Sequence, residues 1–231
     1  MEVASRCTVV FQPQSRLVII MKDTMQPHPA DWNGDPYTIS DNDMTMPDFP
    51  VPFFLVYKLP SGVNLQHLAD SMQQGLDKAA ERLPSLAAKI CLDDAKRPLR
   101  RLSPGAPLKL AVRTFEPGEY KSYVELAQRS FSPTDFEFYY LLPEGTFTPP
   151  DAMYERQVFV VQLNFIPGGI ILAVALNHIA GDGSSQSLAI TLVCDCAKAC
   201  LEGKPDPDMP HTYSFDRRPF SAHEEITAQS K

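Results

Sequence analysis

Gln157-Val-Phe-Val-Val-Gln-Leu-Asn-Phe165, Ile166-Pro-Gly-Gly169, Ile170-Ile-Leu-Ala-Val-Ala-Leu176 and Asn177-His-Ile-Ala-Gly-Asp-Gly183 follow one another without a break. The first and third pieces are runs of β-branched, aliphatic and aromatic residues, a composition that fits a pleated, buried surface. Between them, Pro167-Gly168-Gly169 supplies the backbone freedom of a tight turn, so the two runs predict a β-hairpin. The second strand runs straight into the glycine-containing segment 177–183. From Ser184 to Leu201 the residues Leu188, Leu192, Val193, Cys196 and Cys200 recur at helical spacing, and Gly203 with Pro205 beyond it ends the helix. Hairpin, turn and helix in this order predict an α/β domain.

Working outward, Pro50-Val-Pro-Phe-Phe-Leu-Val-Tyr57 reads as another buried strand, led in by Tyr37-Thr-Ile-Ser-Asp41. A strand-like run, Leu17-Val-Ile-Ile-Met21, lies earlier. Leu65, Leu68, Met72, Leu76, Ala79, Ala80 and Leu83 share one helical face, with His67 at its core edge, and Pro84 stops that helix. Lys109–Phe115 alternates like a strand, and Ser122–Arg129 is a short helix. Lys96-Arg-Pro-Leu-Arg-Arg101 is an exposed turn by its charge, with a phosphate contact as the alternative. Residues 133–151 are rich in aromatics and proline, and fit either a loop packed on the domain or the wall of an apolar pocket.

Composition narrows the classes. The chain has 231 residues, is 44% hydrophobic and 21% charged, and has a mean hydropathy of −0.18, the values of a globular protein able to bury a generous core. Net charge of −7 and a pI near 5.2 argue against nucleic acid as a partner. Ile170 to Leu176 is the longest apolar run, too short to span a bilayer. The N-terminus has an early acid and no apolar core, so no secretory signal is expected. Five cysteines without a disulfide frame read as reduced thiols of a cytoplasmic protein. Cys194, Cys196 and Cys200 crowd together, but they lie on the helix just described, Cys196 and Cys200 on its apolar stripe, and no histidine or Cys-x-x-Cys supports a metal. Core packing is the reading taken.

His178-Ile-Ala-Gly181-Asp182-Gly183 stands where a hydrophobic strand ends and a helix begins, a place where rigid backbone presents side chains to a cleft. Gly181 and Gly183 are expected to let the chain turn sharply and a ligand approach. A histidine there can act as a general base near neutral pH. Two other readings stay open from the residues alone: a histidine satisfied by its neighbours, with Asp182 merely capping the helix, and a triad in which Asp182 orients His178. Ser184 and Ser185 suggest a hydrolase, but Gly-Asp-Gly-Ser-Ser is not the G-x-S-x-G elbow.

The segment resembles the H-x-x-x-D-G signature of the BAHD acyltransferases and their fungal relatives of the trichothecene acetyltransferase type, coenzyme-A-dependent enzymes with the chloramphenicol-acetyltransferase-like fold. Gln162-Leu-Asn-Phe165, Gly168-Gly169 and His178–Gly183 are similar to the family's strand–GG–strand–motif block. Leu83-Pro-Ser-Leu-Ala-Ala-Lys-Ile90 resembles its P-x-L-A-G-R-L segment, with Ala88 and Lys89 in place of Gly and Arg. Ser40–Asp43 resembles L-S-x-x-D, and Asp216-Arg217 a later D-R pair. Together these span roughly residues 37–220. The family's second motif, D-F-G-W-G, is missing, since the only tryptophan is Trp32. The related condensation domains of nonribosomal peptide synthetases open their motif with two histidines, where this chain has Asn177.

The resemblance implies an α/β fold with a mixed β-sheet flanked by helices, forming the N-terminal domain of a two-domain enzyme: a strand and loop over 1–36, the motif-bearing domain over 37–203, and the start of an interdomain crossover over 204–231. It implies an acyltransferase for groups other than amino-acyl groups, in which His178 takes the proton of a hydroxyl or amine on a small, secondary-metabolite acceptor. The acyl group comes from acyl-coenzyme A as co-substrate, with no permanently bound cofactor and no metal. Asp182 then braces the loop by pairing with an arginine, either in a C-terminal half that completes the site or, as the weaker local candidates, Arg217 or Arg218. A non-catalytic binding module and a condensation-type enzyme fed by carrier-protein thioesters are the rival expectations.

Overall fold

The Pro167–Gly168 turn forms where the sequence puts it: Gly168 takes a φ of +75°, open to glycine at no steric cost, and the strands on either side pair from Phe159↔Leu176 down to Ile166↔Gly169. The computed structural model describes residues 8–9, 37–39, 42–92, 100–103, 107–147 and 156–208. In chain order its strands are β1 (Thr8–Val9), β2 (Tyr37–Thr38), β3 (Pro50–Lys58), β4 (Lys89–Leu92), β5 (Arg100–Ser103), β6 (Leu110–Thr114), β7 (Arg156–Gln157), β8 (Phe159–Ile166) and β9 (Gly169–Asn177). Its helices are α1 (Leu65–Arg82), α2 (Tyr123–Gln128), α3 (Phe138–Leu141) and α4 (Gly183–Glu202).

The main sheet runs β1-β3-β9-β8-β6. All neighbours are antiparallel except β6 and β8, which are parallel, so the sheet is mixed as expected. A parallel pair needs a long crossover, and the chain through α2 and α3 supplies it. Every residue of β9 is buried, because helices cover one face of the sheet and the crossover covers the other. On the first face Leu163, Leu172 and Val174 pack with Met72, Leu76 and Ala79 of α1 and Leu192, Val193 and Cys196 of α4. On the second face Val56, Ile171 and Ala173 meet Leu126, Phe136, Leu141 and Leu142. Each fully buried Leu, Ile or Phe contributes about 1.5–3 kcal/mol from removal of apolar surface from water. The aromatic stretch thus behaves as a segment packed on the domain, although Tyr139 and Tyr140 stay exposed.

α1 and α4 cross closely at Gly75, where an added Cβ would lie 2.4 Å from the backbone nitrogen of Ala197. Gly203 ends α4 in the left-handed conformation at φ +62°. The chain beyond it returns to α1, where Lys78 pairs with Asp206 and Arg82 donates to the Pro207 carbonyl.

Several expectations need correction. His67 is exposed rather than at a core edge: five residues before Met72, it is rotated roughly 140° from the buried face at the helical repeat. Leu65 is also exposed, at the helix's first turn. Arg100 and Arg101 belong to β5 rather than to a turn. That strand lies in a second, four-stranded antiparallel sheet, β2-β5-β4-β7, which the sequence did not suggest. The expected strand Leu17–Met21, Lys96–Leu99, and Asp216, Arg217 and Arg218 lie outside the described residues. Among the described residues no helix is long and apolar enough to cross a membrane.

Candidate active site

β9 is paired along its whole length, by β3 on one side and β8 on the other, and it delivers His178 at its end. Its last residue, Asn177, stands opposite Pro50. Just past the strand, the backbone N–H of His178 donates to the carbonyl of Phe49 at 3.0 Å, which continues the ladder by one bond. The chain then bends: Ala180 N–H reaches back to the Asn177 carbonyl at 2.9 Å, and the Asn177 side-chain oxygen accepts from Ile179 N–H at 3.2 Å. Ile179 is buried and anchors the bend.

The His178 ring is half-buried, with its edge toward the Phe49 ring at a centroid distance of 6.3 Å. Its Nδ1 is buried and has no hydrogen-bond partner among the described residues. Among the described residues, then, nothing satisfies that nitrogen and no carboxylate holds it as in a triad. Asp182 serves as the N-cap of α4: its Oδ1 accepts from the backbone N–H and from the hydroxyl of Ser185, both at 2.9 Å. An aspartate there meets one of the unpaired amide groups at the start of the helix and adds negative charge at its positive end. The Ser185 hydroxyl is thus directed at Asp182, which removes it as a nucleophile activated by His178.

The two motif glycines differ. Gly181 is buried, and an added Cβ would lie 2.9 Å from both Leu176 Cδ2 and Ser185 Cβ. Gly183, the first residue of α4, has open space around it. Neither takes a positive φ, so the bend does not need glycine's conformational freedom, contrary to expectation. Only at Gly181 do neighbouring atoms require the missing side chain.

Beneath the bend lies a cluster that sequence reading missed. Asp48 and Arg156, both buried, form an ion pair, and Arg156 also donates to the Asp48 carbonyl at 3.2 Å. Asn177 Nδ2 donates to Asp48 Oδ1 at 3.1 Å. Gln186 of α4 donates to the Val51 carbonyl at 2.8 Å and ties that helix to the same strand. The one signal available was a charged residue, Arg156, at the edge of the most apolar block.

Cys196 is core, its thiol pushed up by burial first of all, while Cys194 and Cys200 are half-buried. Among the described residues no group of three His, Cys, Asp or Glu is arranged to hold a metal.

Residues 51–200 match the family described as the trichothecene 3-O-acetyltransferase-like N-terminal domain, a stretch covering well over half of the chain. The chain belongs to that family. A 41-residue stretch is 44% identical to the O-acetyltransferase pboB of Aspergillus ustus, covering 18% of this chain and 8% of that protein. Among solved structures, apo TRI101 of F. graminearum superposes with a TM-score of 0.63 at 18% identity, covering 75% of this chain and 41% of that one. TRI101 of F. sporotrichioides, solved with coenzyme A and T-2, gives a TM-score of 0.61 at 18% identity, over 75% of this chain and 40% of that one. The fold is therefore the chloramphenicol-acetyltransferase-like one. The chain spans about two fifths of the length of these solved structures.

Proposed function

We propose that this chain is the N-terminal part of an acyl-coenzyme-A-dependent acyltransferase. It would move an acyl group from the thioester to a hydroxyl or amine of a small secondary-metabolite acceptor, with His178 as general base. The observation that carries the reading is the His178 ring at the end of the central strand, half-buried and with Nδ1 unpartnered among the described residues, inside the region that matches an acetyltransferase family. Structural relatives solved with coenzyme A and trichothecenes support the choice of thioester and of alcohol acceptor.

Because Nδ1 is buried, Nε2 is the nitrogen at which the acceptor X–H arrives. As the X–H proton passes to Nε2, the heteroatom attacks the thioester carbonyl, and the carbonyl becomes a tetrahedral oxyanion. Collapse expels the coenzyme A thiolate, which recovers the proton from the imidazolium. Transfer is direct, since the thioester is already activated. Fixing both reactants beside one ring replaces a bimolecular encounter with an oriented one. Asp182 acts by shaping the bend and the start of α4, and Gly181 by letting that bend pack. The domain would occupy residues 37–203, with 204–231 starting a crossover to a C-terminal half that completes the site. The protein would work in the cytoplasm, where acyl-coenzyme A is at hand.

The test is His178→Ala in the complete protein, with acetyl-coenzyme A as donor and release of free thiol in the presence of trichothecene alcohols as the readout. Transfer should fall by roughly 10²–10⁴-fold, the usual contribution of a general base, while the fold melts as before. Undiminished transfer would reject the base.

A further inference from the structure

Among the described residues, the ring proposed as the base has no carboxylate on Nδ1, yet a base must be held in place to be useful. What holds this one is visible in the contacts beneath it. Asp48, Arg156 and Asn177 come from three separate segments: the approach to β3, the strand β7, and the end of β9. Arg156 grips Asp48 through both its carboxylate and its main-chain carbonyl. Those contacts fix the peptide between Asp48 and Phe49. Phe49 in turn makes two contacts with His178: its carbonyl accepts the His178 N–H, and its ring meets the imidazole edge. From the other side, Asp48 Oδ1 holds Asn177 Nδ2, and Asn177 Oδ1 holds Ile179 N–H. The residue immediately before His178 thus binds the one immediately after it through its own side chain, and that side chain is held in turn by the Asp48–Arg156 ion pair.

We propose that Asn177, Asp48 and Arg156 form a positioning network that orients the His178 ring through its backbone and through Phe49, in place of a triad carboxylate. None of the three touches the reacting atoms, so they are positioning residues. A buried ion pair is weak evidence of stability, because the cost of desolvating two charges offsets most of their attraction. The presence of such a pair beneath the bend is better accounted for by the geometry it fixes. For its effect on turnover the proposal rests on His178 being the base, whereas its effect on the ring itself does not.

The experiment uses the complete protein in four forms: wild type, Asn177→Leu, Asp48→Asn, and the double variant Asp48→Asn/Arg156→Gln. Carbethoxylation by diethyl pyrocarbonate, followed peptide by peptide, reads how freely the His178 ring is presented, with exposed His67 as an internal control. Asn177→Leu should change the His178 labelling rate severalfold while His67 labels as before. In thiol release with acetyl-coenzyme A and deoxynivalenol, the wild type should turn over, and Asn177→Leu should lower kcat by roughly 10²-fold, the effect of a misplacement of about 1 Å, with KM for the thioester little changed. Asp48→Asn leaves Arg156 buried without its counter-ion and should lower both melting temperature and kcat. The neutral double variant keeps an acceptor for Asn177 and should recover both. Should Asn177→Leu not fold, Asn177→Ser gives the same readout. Unchanged His178 labelling overturns the network, whatever His178→Ala shows. The expected labelling change in Asn177→Leu, together with transfer surviving in His178→Ala, would overturn the base alone.

Discussion

Placing a methyl group on each of the two motif glycines separates packing from conformation at the bend that carries His178. At Gly181 the new Cβ would sit 2.9 Å from Leu176 Cδ2 and from Ser185 Cβ, closer than real contacts of this kind come. Leu176 can rotate its terminal methyl away, but Ser185 Cβ is fixed to α4, and the Ser185 hydroxyl is tied to Asp182. Overpacking of this order costs about 1–3 kcal/mol. Against it stands a gain of about 0.4–1 kcal/mol, because alanine restricts the unfolded chain more than glycine does and the folded φ suits it. The clash wins, and Gly181→Ala should destabilise by roughly 1–2 kcal/mol. For a domain of this size that lowers Tm by roughly 2–8 °C in a circular-dichroism melt. At Gly183 nothing opposes the methyl, so only the unfolded-state gain remains, and Tm should hold or rise by roughly 1–4 °C. If Gly183→Ala melted as early as Gly181→Ala, the steric account of this bend would be wrong and glycine would be needed there for its backbone.

Two further outcomes follow from the same geometry. Asp182→Ala removes the cap of α4 and should cost about 1 kcal/mol, whereas Asp182→Asn, an equally good cap, should melt close to wild type; equal losses in both would mean that charge rather than capping is what Asp182 supplies. Asp135 is buried, and the Arg129 guanidinium bonded to it, opposed by desolvation and helped by Lys121, holds its carboxyl below the usual range. A depressed folded value means that the stabilisation is complete above the unfolded carboxylate pKa, about 4, and is lost as pH falls through the folded value. Melts followed downward from neutral pH should therefore lose less in Asp135→Asn than in wild type, and parallel curves would refute the linkage.

The hairpin, α1 and α4 were legible because their signals are local. Strand composition, the 3.6-residue spacing of Met72, Leu76 and Ala79, and the terminators Pro84 and Gly203 each act within a few residues. The second sheet was not, since β2, β4, β5 and β7 are two to four residues long and carry no period to read. For the site, His178 and Asp182 could be picked out because they lie four apart in one motif. Whether Asp182 orients the histidine or caps the helix could not be read from that spacing. It depends on where the Ser185 hydroxyl points. Asp48 and Arg156 were invisible for a deeper reason: they are separated by 108 positions, and their pairing exists only once β7 has joined the second sheet and β3 the first.

That separation bears on how the site keeps its shape. β9 is a central strand, buried on both faces and bonded on both edges, so its end is among the places least free to open locally. A histidine one residue past such a strand inherits its position, and needs only its own backbone direction to be fixed. The Phe49 carbonyl and the Asn177 side chain supply that direction from either side. A carboxylate on Nδ1 would orient the ring as well, but it would also stabilise the imidazolium and raise the basicity of the ring. In the proposed reaction, these backbone contacts serve the placing of the ring beside both reactants. The contacts around His178 thus direct its backbone from both sides, where a triad would hold the ring itself through one aspartate.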